Sequence, residues 1–271
     1  MDVKLTEITV SYEDKIATIT LHNEQKRNAL STAVLESLAM DVRIMAQDPR
    51  IHVLIIAAEG PAFSSGHDLR EIFSSTTQEV HRLFETCGAV MTAIRESPQI
   101  VLAQVQGIAT AAGCQLVAAC DLAVAAQEAR FATPGVKIGL FCSTPAVHLT
   151  RNVGRKKAAE MLFTGEMMSA QEALDHGLLN RVVPADQLHV STYELAMTVA
   201  QYSRDTLATG KKFLHRQYGM TEEQSLAYAT EVISLQSSTA DAREGISAFL
   251  EKRPPQWSKD GTNVDVEVKG Q

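Results

Sequence analysis

An α/β fold followed by a largely helical C-terminal portion is predicted by three features of the chain. Apolar runs rich in β-branched residues alternate with stripes of helical period through residue 125. Gly and Pro stand at the junctions, as at Gly60-Pro61 and Pro98. Beyond about residue 145 the pattern is helical, with one short strand at 178–183.

Each element has its own cause. Ile8 and Val10 within residues 4–21, then the alternating run Ile16 to Leu21, flank Tyr12-Glu13-Asp14-Lys15 and predict a hairpin. Ser31 opens a helix whose Val34, Leu38, Val42 and Met45 keep helical spacing. His52 to Ala58 reads as a buried strand. The stripe Val80, Leu83, Phe84, Cys87, Val90, Met91 and Ile94 predicts a helix over about 78–96, stopped by Pro98. A strand at 100–105, a helix at 112–119 and a strand at 122–125 follow. Ser169 with Glu172, and Thr221 with Gln224, have capping-box spacing, and Gly177 suits a helix stop. Residues 1–200 are expected to form the core and 201–271 a helical region for oligomerisation and ligand contact.

The 271 residues are 45% hydrophobic, enough for a substantial core, and carry a formal net charge of −7. No basic run exists to displace counterions from phosphates, so a nucleic-acid partner is not expected. No apolar stretch approaches the ~20 residues that span a bilayer, so no membrane partner is expected. Cys87, Cys114, Cys120 and Cys142 form no paired framework, in keeping with reduced thiols. The N-terminus has acids at 2, 7, 13 and 14 and resembles neither a secretory signal nor a transit peptide. The expected location is the cytoplasm, or the mitochondrial matrix where a presequence has been removed. No dinucleotide fingerprint, phosphate loop, metal-spaced His or Cys pair, or Gly-x-Ser-x-Gly elbow is found.

Two segments carry the chemistry. Gly60-Pro-Ala-Phe-Ser-Ser-Gly-His-Asp-Leu-Arg-Glu71 and Gly107-Ile-Ala-Thr-Ala-Ala-Gly-Cys-Gln-Leu116 are Gly-rich turns between a buried strand and a helix. Small residues admit a ligand close to the backbone, and a helix start leaves N–H groups unpaired. Two such donors converging on one point would stabilise a carbonyl oxyanion, typically worth ~10²–10³ in rate per donor.

PAFSSGHDLRE and GIATAAGCQLVAACDLAVA resemble the two oxyanion motifs of the enoyl-CoA hydratase/isomerase (crotonase) superfamily. FATPGVKIGL, AQEALDHGLLNRVV and FLEKRPP follow in the family's order, so the resemblance covers about residues 8–256. It implies a spiral of ββα units with a C-terminal helical trimerisation region, assembled as a homotrimer or dimer of trimers. It implies an enzyme, a lyase or isomerase of fatty acid metabolism, acting on an acyl-CoA small molecule. No resident cofactor is implied, since coenzyme A arrives as part of the substrate, and no metal. The backbone N–H groups of His67 and Ala112 would be the oxyanion donors. Arg27, Ala29 and Leu30 would lie against the CoA moiety, and Ala62, Ser64, Gly66, Asp68 and Leu69 along the substrate path. Phe249 and Lys252 would meet the adenine or its phosphates, often in a neighbouring subunit.

Hydratases of this family use two glutamates, and this chain has Gln115 and Gly135 at those positions, as in the enoyl-CoA hydratase domain-containing branch. Neither can shuttle a proton at neutral pH, and acid–base help is typically worth ~10²–10⁴. Weak hydration is expected, with Gln115→Glu and Gly135→Glu together restoring part of it. The alternatives are a malonyl-type acyl-CoA decarboxylase and a non-catalytic acyl-CoA-binding or regulatory protein. The His67 imidazole could titrate near neutrality, although its backbone N–H is the favoured role. Asp68 is expected to cap a helix, Cys142 to line the acyl pocket, and Asp121 to be structural.

Overall fold

The computed structural model describes residues 7–258. Residues 4–6 of the expected first strand, and 259–271 of the expected C-terminal region, lie outside them. The strands are β1 (Ile8–Glu13), β2 (Ile16–Leu21), β3 (Val53–Ala58), β4 (Ala62–Ser64), β5 (Ile100–Val105), β6 (Ile108–Thr110), β7 (Leu122–Ala126), β8 (Arg130–Ala132), β9 (Met168–Ser169) and β10 (Arg181–Val183). The helices of the first half are α1 (Thr32–Gln47), α2 (Leu69–Ser74), α3 (Thr77–Glu96) and α4 (Ala112–Ala119). Those of the second are α5 (Ser143–Asn152), α6 (Arg155–Thr164), α7 (Ala170–Asp175), α8 (Leu188–Ala200), α9 (Arg204–Gln217), α10 (Glu222–Gln236) and α11 (Ala240–Glu251).

A six-stranded sheet has the order β1-β2-β3-β5-β7-β10, parallel except for the β1–β2 hairpin. Its central strands are buried on both faces, so VLIIAA reads as one apolar run instead of alternating. A four-stranded sheet, β4-β6-β8-β9, lies beyond it. Three times the chain adds one strand to the large sheet and the next to the small one, then turns into a helix. The three passes are β3-β4-α2, β5-β6-α4 and β7-β8-α5, which is the expected spiral of ββα units.

The expected caps form. Ser31 accepts from the Val34 N–H, and complete capping boxes close at Ser169/Glu172 and Thr221/Gln224. Asp121 is structural, as expected. One carboxylate oxygen accepts from the Val101 N–H at 2.8 Å and from Lys211 Nζ at 2.6 Å. Lys211 is buried, and its ammonium also donates to the Ile94 and Gln99 carbonyls at 2.7 and 2.9 Å. That cluster, with Arg204 donating to the Ile51 and Ala46 carbonyls, fastens α9 to the parallel sheet.

Candidate active site

The small sheet builds the site. Each Gly-rich turn contains a short strand that periodicity did not reveal. β4 and β6 pair in parallel, Ala62 opposite Ile108, so the turns that follow them leave side by side. Thr110 Oγ1 then donates to the Ser65 carbonyl at 3.1 Å and ties the two together. Close approach requires glycine. A Cβ on Gly113 would stand 2.3 Å from the Ser64 carbonyl oxygen, and one on Gly66 would stand 2.9 Å from Ala111 Cβ and 3.2 Å from Ala112 N. Gly66 also has φ +90°, which only glycine adopts at little cost.

Residue 67 thus sits against the start of α4. Ala112 is its first helical residue, and its N–H has no intrahelical acceptor. Neither the Ala112 N–H nor the His67 N–H enters the turn and cap hydrogen bonds of the described residues. Ala111, the residue before α4, holds φ 49° and ψ −117°, a costly backbone for a residue with a Cβ.

His67 and Ala112 both line a cavity of about 510 Å³. α2 and α3 supply Leu69, Ile72, Val80 and Phe84, and the segment 134–145 supplies Pro134, Gly135, Ile138, Leu140, Phe141 and Cys142. Among the described residues no carboxylate lines it, and the one charged lining residue, Lys137, pairs with Glu166 at 2.8 Å.

The His67 ring does not titrate near neutrality. Burial, only partly offset by the charge of Glu71, pushes its pKa down to about 4. The ring meets Phe84 edge-on, with centroids 4.7 Å apart, and Nε2 is buried without a hydrogen-bond partner. The neighbouring acids are occupied. Asp68 caps α2 by accepting from the Arg70 N–H at 3.0 Å, and lies 3.8 Å from Lys26. Glu71 accepts from the Thr32 hydroxyl and N–H at 2.6 and 3.1 Å, holding the start of α1. Cys142 lines the cavity, and its Sγ accepts from the Gly135 N–H at 3.3 Å; burial raises its pKa.

The two positions of the implied glutamates have different fates. Gly135 lines the cavity, but no side chain fits there. A Cβ would meet the Leu140 carbonyl oxygen at 2.4 Å and Cys142 Sγ at 2.9 Å. The obstacle to the expected Gly135→Glu restoration is therefore contact, and the thiol fills the space that a side chain would enter. Gln115 is 2% exposed and is not among the residues lining the cavity. Its Nε2 lies 3.4 Å from His148 Nδ1.

The remaining expected positions divide. Leu30 and Ser64 are fully buried. Leu30 forms a parallel bridge to His67, and its N–H donates to the Gly66 carbonyl at 2.8 Å. The Ser64 hydroxyl donates to the Asn28 carbonyl and accepts from the Gly66 N–H. These residues shape the turn instead of presenting side chains to a ligand. Ala62 is buried and Ala29 half-buried, while Arg27 is exposed with φ 52°. Phe249 is 83% exposed and Lys252 follows α11; neither lines the cavity in this chain.

Asn28 escaped the sequence reading. It is buried, with its side-chain amide donating to the Glu59 and Ala62 carbonyls at 2.8 Å and its Oδ1 accepting from the Asn23 N–H. An Asn between Arg27 and Ala29 was the available signal, because Asn tolerates the positive φ of 51° found there.

The profile of the Enoyl-CoA hydratase/isomerase family matches residues 11–260. The chain belongs to this family. Among its relatives, the mitochondrial enoyl-CoA hydratase domain-containing protein 3 of Mus musculus is 49% identical over 247 residues, 91% of this chain and 82% of the relative. The crystal structure of the human enoyl-CoA hydratase domain-containing protein 3 superposes with a TM-score of 0.90 at 47% identity, covering 93% of this chain and all of the other. That of an enoyl-CoA hydratase from Mycobacterium smegmatis gives 0.90 at 43% identity, covering 93% and 98%. The fold is the crotonase fold expected from the motifs. Among the described residues no helix is long and apolar enough to cross a membrane.

Proposed function

We propose that the chain is an acyl-CoA thioester-binding enzyme of enoyl-CoA hydratase/isomerase type. In this reading the thioester carbonyl oxygen accepts from the His67 and Ala112 N–H groups, and loss of a group from the α-carbon leaves an enolate whose charge rests on that oxygen. The observation that carries it is that His67 and Ala112, whose backbone N–H groups have no partner among the described residues, both line one largely apolar cavity. CoA enters and leaves with the substrate, and the 26–30 loop is the surface for its nucleotide end. By likeness to the named mitochondrial relatives, the compartment is the mitochondrial matrix.

Hydration needs one group to activate water and one to protonate carbon. Among the described residues no carboxylate lines the cavity, and an imidazole with a pKa of about 4 is a weak base. Crotonyl-CoA hydration is therefore expected to fall far below that of a two-glutamate relative. The same observation favours a second reading, a protein that binds acyl-CoA without turning it over.

The test is a turnover screen over short, medium and malonyl-type acyl-CoAs, joined to calorimetric binding. A saturated thioester should bind about ten-fold more tightly than the matching thioether, which lacks the carbonyl. In Ala112→Pro, which removes one donor, that preference should vanish while circular dichroism is unchanged. Equal affinity of thioester and thioether for the wild type would reject the oxyanion reading. Binding with preference but without turnover of any substrate would select the second.

A further inference from the structure

A second concave region lies away from the acyl cavity. Two adjoining hollows, of about 750 and 660 Å³, run between α3, the end of α4, α5 and α9. Among the described residues their walls carry five Lys or Arg side chains and two carboxylates. This local excess of three positive charges stands in a chain whose net charge is −7. An uneven distribution of that kind concentrates counter-ions at one place.

The cations also have spare capacity. Arg95 on α3 reaches its one carboxylate, Glu96, only at 3.5 Å. Arg151 on α5 donates from one nitrogen to the Val147 carbonyl, one turn earlier in its own helix. On α9, Arg216 lies 4.9 Å over the Tyr228 ring, and Lys212 takes part in no ion pair of the described residues. Asp121 does not neutralise them, because Lys211 and His215 already engage its two oxygens. His148 lines the same groove as Arg95 and Arg151. After burial, the charges of Arg151 and Arg95 are what hold its imidazole below the ordinary range, so these guanidinium groups share a space with it. Met91, Val147, Leu214 and Tyr218 give the same groove an apolar wall.

We infer that this groove is a binding site for a nucleoside di- or triphosphate, its vicinal phosphate groups taken by Arg95, Arg151 and Arg216 and its ring laid against the apolar wall. Guanidinium forks match phosphate oxygens two at a time. The volume exceeds what a single inorganic anion fills, and an apolar wall is of no use to one. The site is independent of the thioester-binding reading, since none of its walls belongs to the acyl cavity.

Calorimetric titration of the full chain with ATP, pyrophosphate and adenosine tests it. ATP should bind at one saturable site, pyrophosphate more weakly, and adenosine barely. The double variant Arg95→Gln, Arg151→Gln should weaken ATP at least about ten-fold. Arg151→Lys, keeping charge without the fork, should lie between. Lys156→Ala, an exposed lysine that lines none of these cavities, should leave ATP binding unchanged, whereas Arg27→Ala reports any ATP taken at the expected CoA loop instead. Absence of saturable binding would overturn the inference, as would loss of binding in Arg27→Ala with none in the double variant. Light scattering supplies the last arm. If the double variant changes the assembly mass and ATP binding is undetectable in both proteins, the groove is an interface between copies and the inference fails.

Discussion

At single residues, the decisive facts concern groups without partners and atoms without space. Gly135 is the clearest case. Its replacement by Glu is expected to lower the thermal midpoint and to bring no hydration, because the first added carbon already collides with the Leu140 carbonyl. Crotonyl-CoA hydration by Gly135→Glu above the wild-type level, with an unchanged melting temperature, would contradict this. Gln115→Glu alone is expected to gain nothing, since position 115 faces His148 and not the cavity. His67 predicts a pH dependence of stability. Folded, it stays neutral down to about pH 4; unfolded, it takes a proton near 6.5. The unfolded state therefore binds more protons between those values, and stability falls as pH drops through that window. The contribution is about 3 kcal/mol at most. Urea midpoints measured at pH 7.5 and 4.5 should differ less in His67→Leu than in the wild type. His52 and His148, also lowered by burial, keep part of the dependence in both proteins.

Among the elements, long amphipathic ones were readable and very short ones were not. The stripe from Val80 to Ile94 and the run VLIIAA announced α3 and β3 within a residue, because twenty and six residues respectively repeat one burial pattern. The strands that assemble the site are β4, β6, β8 and β9, of two or three residues each, and no alternation can show in so few. Only their pairing with distant partners makes them strands. The motifs at 60–71 and 107–116 therefore gave away that two turns carry N–H donors, while the sheet that sets them side by side was hidden. Of the lining from 138 to 145 only Cys142 was read in advance, because this stretch runs from the end of a single 3-10 turn into the first residues of α5 and is too short to show a period. Caps behave locally. Thr76 with Glu79 forms a full capping box at the start of α3, missed in the sequence beside the two that were seen. Thr76→Ala should cost about 1 kcal/mol, read from the urea midpoint. Because α3 carries Val80 and Phe84, fraying there should also weaken thioester binding.

For the whole molecule, the surface of the last two helices is the unsettled part. Leu226, Ile233, Leu235, Ile246, Phe249 and Leu250 are all more than half exposed, and Val232 is half-buried. Single exposed apolar residues are ordinary, but a cluster on two successive helices marks a surface that meets another. We expect a trimer or a dimer of trimers, so light scattering should return three or six times the 29.5 kDa of one chain. Ile233→Lys with Phe249→Lys should shift that mass toward the monomer. A monomeric wild type at tens of micromolar would end the expectation. The motif order had already implied such an assembly, whereas charge and composition bear only on solubility and on which partners are excluded.

The crowding around Gly66, Gly107 and Gly113 also determines how this chain can vary. A carbon added at Gly107 would fall 2.2 Å from the Pro61 carbonyl oxygen, as close as the Gly113 contact. The neighbours in these collisions are mostly backbone, which cannot rotate aside as a side chain can. Gly88, Gly154, Gly210 and Gly219 have no atom within 4 Å of an added carbon and no positive φ. A library carrying every amino acid at every position, sorted for folded protein alone, should return the first three glycines almost unmutated and the second four freely exchanged. Drift in this lineage would then be channelled. The apolar lining of the cavity can be rewritten residue by residue, while the two Gly-rich turns must pass unchanged or be lost together.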